Sequence, residues 1–277
     1  MKDLILQHEP QIRLAFFLGV FALVALAELA APRRRLVMSK AVRWASNLGI
    51  VVINTVLLRL LFPVAAVGLA LRAQAQGFGL FNLLELPSWL EIALAVALLD
   101  LAIYLQHVLF HAVPALWRLH MMHHADLDYD VTTGARFHPI EIILSMGIKL
   151  GVVAALGPAA VAVLIFEVLL NATAMFNHGN VRLPLALDRV LRWVVVTPDM
   201  HRVHHSRLAP ETNSNFGFCL PWWDRLFGSY RPQPAAGHED MSIGLDQFPD
   251  PKDNVLHRLL ALPFTGGAGE YAINRRR

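Results

Sequence analysis

Apolar runs of about twenty residues recur along this chain, and they decide most of what it can become, because a bilayer core takes one helix of that length. Leu14 to Ala31 is the first, broken only by Glu28; the second runs from about Ala45 to Leu71, with Arg59 inside it and Pro63 interrupting it. A third starts at Trp89 and continues past Asp100 and Tyr104. Ile142 to Phe176 is too long for one span and too short for two full ones, and Gly157-Pro158 sits in its middle. A helical hairpin that enters the membrane and returns to the same face satisfies that stretch, provided its turn is buried against protein. Hydrophobic residues make up 56% of the chain and charged residues 16%, against about half and about a quarter in globular proteins. The expected fold is an all-α integral membrane protein with three spanning helices plus a membrane helical hairpin and a cytoplasmic, histidine-rich helical cap.

Charge sets the expected orientation. Arg33, Arg34, Arg35, Lys40 and Arg43 follow the first run, and the positive-inside rule places such a loop in the cytoplasm and the N-terminus outside. The first run is long enough to span and reads as an uncleaved anchor. Arg275, Arg276 and Arg277 fit a cytoplasmic terminus. Arg59 is expected to be packed and locally solvated. The net charge is only +3 and its basic residues are spread over the loops, so no nucleic-acid partner is expected.

Histidine carries the chemistry. The chain has thirteen, and eight fall in three clusters: His107-Val-Leu-Phe-His111, His120-Met-Met-His123-His124 and His201-Arg-Val-His204-His205. Spacings of three and four residues put imidazoles on one helix face, so each cluster can aim two or three at a common point. Imidazole is the commonest ligand of zinc, copper, iron and nickel, and eight exceed what one ion takes. Two ions is the natural count. The single cysteine, Cys219, rules out a thiolate cluster, so ligands must be nitrogen or oxygen. Asp100, two turns before His107, is either a partner for a ligand imidazole or a satisfied intramembrane carboxylate. Asp126, Asp128 and Asp130 are either metal-binding or solvated, and Thr197 or Asp199 starts the helix that carries His201. His8, His238 and His257 lie outside every cluster and are expected to face solvent.

The order HxxxH, HxxHH, membrane hairpin, HxxHH resembles the sterol desaturase / fatty acid hydroxylase superfamily of integral membrane di-iron enzymes. Further stretches add to the likeness: Arg136-Phe-His138-Pro-Ile-Glu141, Asn177-His178-Gly-Asn180, Thr197-Pro-Asp-Met-His201, Asn213-Ser-Asn215-Phe-Gly217 and Trp223-Asp224-Arg-Leu-Phe-Gly228. It covers about residues 90–232, and the run around His201 is also similar to alkylglycerol monooxygenase. The resemblance implies a division into N-terminal transmembrane helices (1–88), a di-iron catalytic domain (89–232) and a C-terminal cytoplasmic tail (233–277). It implies the ligands His107, His111, His120, His123, His124, His201, His204 and His205, completed by His178 and by His138, which before Pro139 serves either as ligand or as helix cap.

A thiolate-free site of this kind can hold two iron ions and use O2 to attack an unactivated C–H bond, which zinc, lacking redox chemistry, cannot do. The implied activity is oxidoreductase: hydroxylation or desaturation of a lipid or sterol-like substrate at the inner membrane face. Neither a Gly-rich dinucleotide fingerprint nor a cysteine cluster is seen, so electrons are expected from a separate donor protein, a ferredoxin, cytochrome or reductase. Two other readings compete. A membrane zinc hydrolase would want a glutamate after the first histidine, where His107 and His120 have Val108 and Met121. A metal transporter or sensor would want polar ligands spread through several spans.

Overall fold

The computed structural model describes residues 2–265 and 267–274. Arg275, Arg276 and Arg277, expected at the cytoplasmic face, lie outside the described residues. The helices are α1 (Lys2–Gln7), α2 (Glu9–Ala30), α3 (Lys40–Leu61), α4 (Ala66–Gln76), α5 (Ser88–Ala112), α6 (Pro114–His124), α7 (Pro139–Leu156), α8 (Ala160–Asn177), α9 (Leu185–Leu191) and α10 (Pro198–His204), followed by shorter turns. Among the described residues no strand forms, only the isolated bridges Pro32 to Val181 and Ser206 to Ile243.

Five helical stretches are long and apolar enough to cross a membrane: Glu9–Ala30, Lys40–Leu83, Ser88–Ala112, Pro139–Leu156 and Ala160–Asn177. The protein is a multi-pass membrane protein. Pro63 breaks the second run as its missing N–H and fixed φ require, ending α3 at Leu61 and starting α4 at Ala66. Arg59 is exposed in the last turn of α3 rather than packed. The hairpin forms, as α7 and α8, but both arms have 18 residues, about 27 Å each. Each is a full span by length, where the sequence predicts arms too short for two full spans.

The hairpin turn is clamped from outside, as an apolar setting demands. Asn82 Nδ2 donates to Gly157 O at 2.8 Å and Ala159 N donates to Glu91 Oε1 at 2.8 Å. Gly157 (φ +57°) abuts Gly79 (φ +92°) so closely that a Cβ on Gly79 would stand 2.5 Å from the Gly157 backbone. Within the bundle, Ala66, Ala70, Ala95 and Ala162 are fully buried. Small residues let helices approach where lipid supplies no hydrophobic drive, and Leu99, Phe166 and Val163 fill the seam.

At one end of the bundle the ends of α2 and α3 hold the cap. Arg43, in the first turn of α3, is fully buried; its Nε and Nη2 donate to Asp126 at 2.9 and 2.8 Å, and its Nη1 to Asp130 at 2.6 Å. Asp128 accepts the backbone N–H groups of Val37 and Met38, each at 2.8 Å. The acidic loop is thus neither solvated nor aimed at a metal: it is the anchor between α3 and the histidine helix. Glu28 Oε1 accepts from Val131 N at 2.7 Å and Asn180 N at 2.9 Å. The stretch after residue 232 folds back over α6, where Leu245, Leu259, Leu262 and Tyr271 pack on Trp117 and Met121. Ile273 N donates to His111 O at 2.9 Å. Trp222 and Leu226 are exposed on the short helix Trp222–Leu226, as is Phe227 just after it.

Candidate metal centre

Three helices and one helix end deliver the histidines. α5 carries His107 and His111 one turn apart, α6 carries His120, His123 and His124, and α10 carries His201 and His204, with His205 as its C-cap. His178 stands at the C-terminal end of α8. Pro114 and Pro198 occupy the first positions of α6 and α10, where a missing N–H costs nothing. Thr197 caps α10, its hydroxyl accepting from Met200 N at 3.3 Å.

Nine imidazoles gather in two groups, each with ligand atoms within 4.8 Å of one another: His107, His111, His120, His124 and His204 in one, His123, His178, His201 and His205 in the other. The sequence clusters do not map one to one on these groups. Each HxxHH run is divided, so that the adjacent pairs His123-His124 and His204-His205 each serve both groups. The two groups therefore share their backbone supports and stand side by side, with His124 stacked on His205 at a centroid distance of 4.6 Å.

The polar contacts around the rings fix which nitrogen faces inward. His107 Nδ1 donates to Phe216 O at 2.7 Å, His120 Nδ1 to Glu141 Oε1 at 2.6 Å and His204 Nδ1 to Ser214 O at 2.8 Å. With their protons on Nδ1, all three present bare Nε2 lone pairs, and these converge: His107 Nε2 is 3.0 Å from both His120 Nε2 and His204 Nε2. Lone pairs at that separation repel unless a cation lies among them. His111 Nδ1 donates to Asn213 Oδ1 at 3.1 Å, leaving Nε2 buried without a partner. In the second group His178 Nδ1 donates to Ala174 O at 2.7 Å, and its Nε2 lies 3.2 Å from His123 Nε2. Both ring nitrogens of His201 and His205 are buried and unpartnered. Such orphaned acceptors are what a nitrogen-ligated metal pair satisfies.

Burial keeps the cluster uncharged. It lowers His120 and His178 from the usual 6.5 to about 3. His123, His124, His201, His204 and His205 also lie well below it, through burial first and neighbouring imidazoles second. Neutral imidazole is the form that binds metal. Cys219 is no competitor, since burial raises its thiol well above 9.

His138 stands outside both groups. It is the N-cap of α7, its Nδ1 accepting from Ile140 N at 3.2 Å while its Nε2 donates to Leu260 O at 3.2 Å. Asp100 touches no ligand: it accepts from Cys219 N, Leu220 N and Trp223 Nε1, the satisfied-carboxylate alternative. His8 and His257 are exposed as expected, but His238 is 5% exposed, drawn in beside Asp199 at 3.7 Å. Glu141 and the stretch 213–217 carry the family resemblance in the sequence, but their role emerges only here: Glu141 holds His120, and the Asn213 side chain with the Ser214 and Phe216 carbonyls orients His111, His204 and His107. Asp224 braces that loop by accepting from Phe216 N and Gly217 N at 2.8 and 2.9 Å.

Residues 92–229, which contain most of both groups' supports, match the fatty acid hydroxylase family. The chain carries a fatty acid hydroxylase domain. Curated relatives include ornithine lipid hydroxylase OlsE of Rhizobium tropici, 28% identical over 160 residues that cover 57% of this chain and 46% of that protein. Alkylglycerol monooxygenase of Xenopus tropicalis is 29% identical over 163 residues, 55% of this chain and 34% of that one. A very-long-chain aldehyde decarbonylase of Oryza sativa subsp. indica is 30% identical over 193 residues, 64% and 30% respectively. The chain thus spans less than half the length of these relatives. No solved structure matches it. In this fatty acid hydroxylase domain a cavity of about 290 Å³ begins at His107 and His120 and runs between α2, α3, α5, α7 and α8.

Proposed function

We propose that the chain is a membrane-bound di-iron oxygenase that hydroxylates or desaturates a C–H bond of a lipid or sterol-like substrate, using O2 and electrons from a separate donor protein. The observation that carries this reading is the convergence of the Nε2 atoms of His107, His120 and His204, each proton-free because its Nδ1 is committed elsewhere. His107, His111, His120, His124 and His204 would hold one ion, and His123, His178, His201 and His205 the other. Iron bound there supplies the redox chemistry with O2 that relatives named hydroxylase and monooxygenase carry out and that zinc lacks.

The chain's own residues do the rest. Glu141, Asn213 and the carbonyls of Phe216, Ser214 and Ala174 hold the rings in one tautomer and one orientation, which raises ligand basicity. Phe17, Ile103, Phe110, Ile142 and Phe218 line the cavity beside His107 and His120, excluding water and receiving an apolar chain. Arg33 and Arg34 lie on the histidine side: Arg33 pairs with Asp199 and Arg34 donates to His238 O and Met241 O. That supports a cytoplasmic face for the cap and an outer N-terminus by the positive-inside rule.

Purified protein tests the reading. Wild type should contain two irons and oxidise lipid only with O2, leaving dioxygen label in a hydroxylated product or a new double bond in a desaturated one. His123→Ala and His204→Ala should each lose iron from its own group, and activity with it, while keeping helical content. Peptide cleavage with bound zinc and no O2 requirement would refute it.

A further inference from the structure

The cavity that begins at the histidines ends, away from them, in charge. Arg13 of α2, Lys149 of α7 and Glu167 of α8 line it. Glu167 Oε1 accepts from Lys149 Nζ at 2.7 Å and its Oε2 from Arg13 Nη1 at 2.8 Å. The Glu167 side chain is 2% exposed, those of Lys149 and Arg13 13% and 34%. Ionisable side chains within membrane helices are costly and mark polar ligands or pathways. Glu9, outside the lining, also pairs with Arg13 at 2.8 Å, so the two cations and two carboxylates are neutral together. Both pairs use Nη1 of Arg13, which leaves its other guanidinium N–H groups as donors that can face the cavity.

Arg13 is the fifth residue of α2, whose other end meets the cap through Ala31 O and Arg182 N, while Lys149 and Glu167 sit mid-way along their 18-residue helices. The charged end is therefore the end of the cavity remote from the cap, and Arg13, 34% exposed, is its least enclosed member. Glu141, which holds His120, and Ser145 and Lys149 follow at intervals of four along one face of α7, and all three line the cavity. Eight residues of helix separate the histidine end from the charged end by about 12 Å. Between them Phe17, Leu58, Phe110, Ile142 and Met146 give the wall an apolar character.

We propose that Arg13 and Lys149 form a headgroup seat that takes an anionic group, carboxylate or phosphate, of a lipid whose chain runs down to the histidines. An apolar chain end at this place would cover the spare N–H donors of Arg13 and Lys149 and return no hydrogen bond. An anion there gains charge-assisted hydrogen bonds from both. A lipid held by its head presents the same carbon to the histidines whatever its total length. The proposal rests on the reading of the histidines as an oxidising metal centre, but its test does not need the metal.

Binding of palmitate, lysophosphatidate and uncharged methyl palmitate to the full chain in nanodiscs, stripped of metal, decides it. Wild type should bind at least one of the two anions tighter than the ester by about ten-fold or more; the tighter anion distinguishes carboxylate from phosphate. Lys149→Met and Arg13→Met each leave Glu167 one cationic partner, so neither strands a buried charge, and thermal unfolding confirms the fold. Loss of the preference in either variant supports the seat. A wild type without preference, or a preference undiminished in both variants, overturns it. That failure would leave the histidine reading untouched, whereas loss of iron stoichiometry speaks to the histidines alone.

Discussion

Glu141 Oε1 lies 2.6 Å from His120 Nδ1, tying the first arm of the membrane hairpin to the histidine helix. A carboxylate behind an imidazole raises its basicity and fixes its tautomer, and removing such a partner typically costs about 10–100-fold in metal affinity. Glu141→Gln keeps the shape and an acceptor but not the charge. Its iron affinity, measured by competition with a chelator, is expected to fall by about ten-fold with the melting temperature nearly unchanged. An unaltered affinity would mean that Glu141 only packs.

The two histidine groups are unequal in number, five against four, and this predicts unequal tolerance. His111 lies outside the 3.0 Å convergence of His107, His120 and His204 Nε2 atoms, so His111→Ala leaves that trio with His124, enough for a tetrahedral or open site. His205→Ala leaves three in the other group and removes the ring that packs on both His123 and His124. Iron analysis should find His111→Ala close to wild-type stoichiometry and His205→Ala at about half. Equal losses would contradict the division.

Arg43 is expected to be worth more to stability than any histidine. It is fully buried between Asp126 and Asp130, and Arg43→Met would leave two carboxylates in the interior with only Arg136, whose Nη1 is 3.6 Å from Asp126, nearby. Breaking a buried pair from one side costs about 3–5 kcal/mol. The variant should unfold at a markedly lower temperature in detergent, and Arg43→Met with Asp126→Asn should recover part of the loss. A melting temperature equal to wild type would show that water reaches the cluster.

His238 predicts an acid limb. Burial lowers it from 6.5 to about 4 despite Asp199 beside it, so the folded chain resists a proton that the unfolded chain accepts. Its contribution is intact above pH 6.5 and is lost as pH falls from 6.5 towards 4, by about 3 kcal/mol at most. Subtracting the melting profile of His238→Gln from that of wild type over pH 7 to 4 should expose this limb. Superimposable profiles would place the ring in solvent.

Sequence periodicity was sufficient for what repeats and blind to what converges. The spans, the hairpin turn at Gly157-Pro158 and the helix start at Thr197 follow from local rules about apolar length, proline and capping. The allocation of His123 and His124 to different groups does not, because neighbouring residues on a helix point about 100° apart and only the tertiary arrangement says what each meets. The acidic loop was misjudged for the same reason: Asp126 and Asp130 look solvated until Arg43, more than eighty residues earlier, is seen between them. Asn213 to Gly217 stood out as a motif, yet its work is done by the Ser214 and Phe216 carbonyls, and no side-chain pattern announces a carbonyl.

His138 and His178, which the family resemblance adds together to the ligand set, meet different surroundings in the fold. Both neighbour helix ends, but His178 Nε2 faces His123 Nε2 at 3.2 Å, whereas both nitrogens of His138 are spent on Ile140 N and Leu260 O. Serine caps helices well, so His138→Ser should change stability by no more than about 1 kcal/mol and leave iron content at the wild-type value. His178→Ala should reduce the four-histidine group to three ligands and remove about half the iron, with its helices intact by circular dichroism. Iron lost from His138→Ser and retained in His178→Ala would reverse the assignment, and would require α7 to turn its N-cap towards the cluster when metal binds.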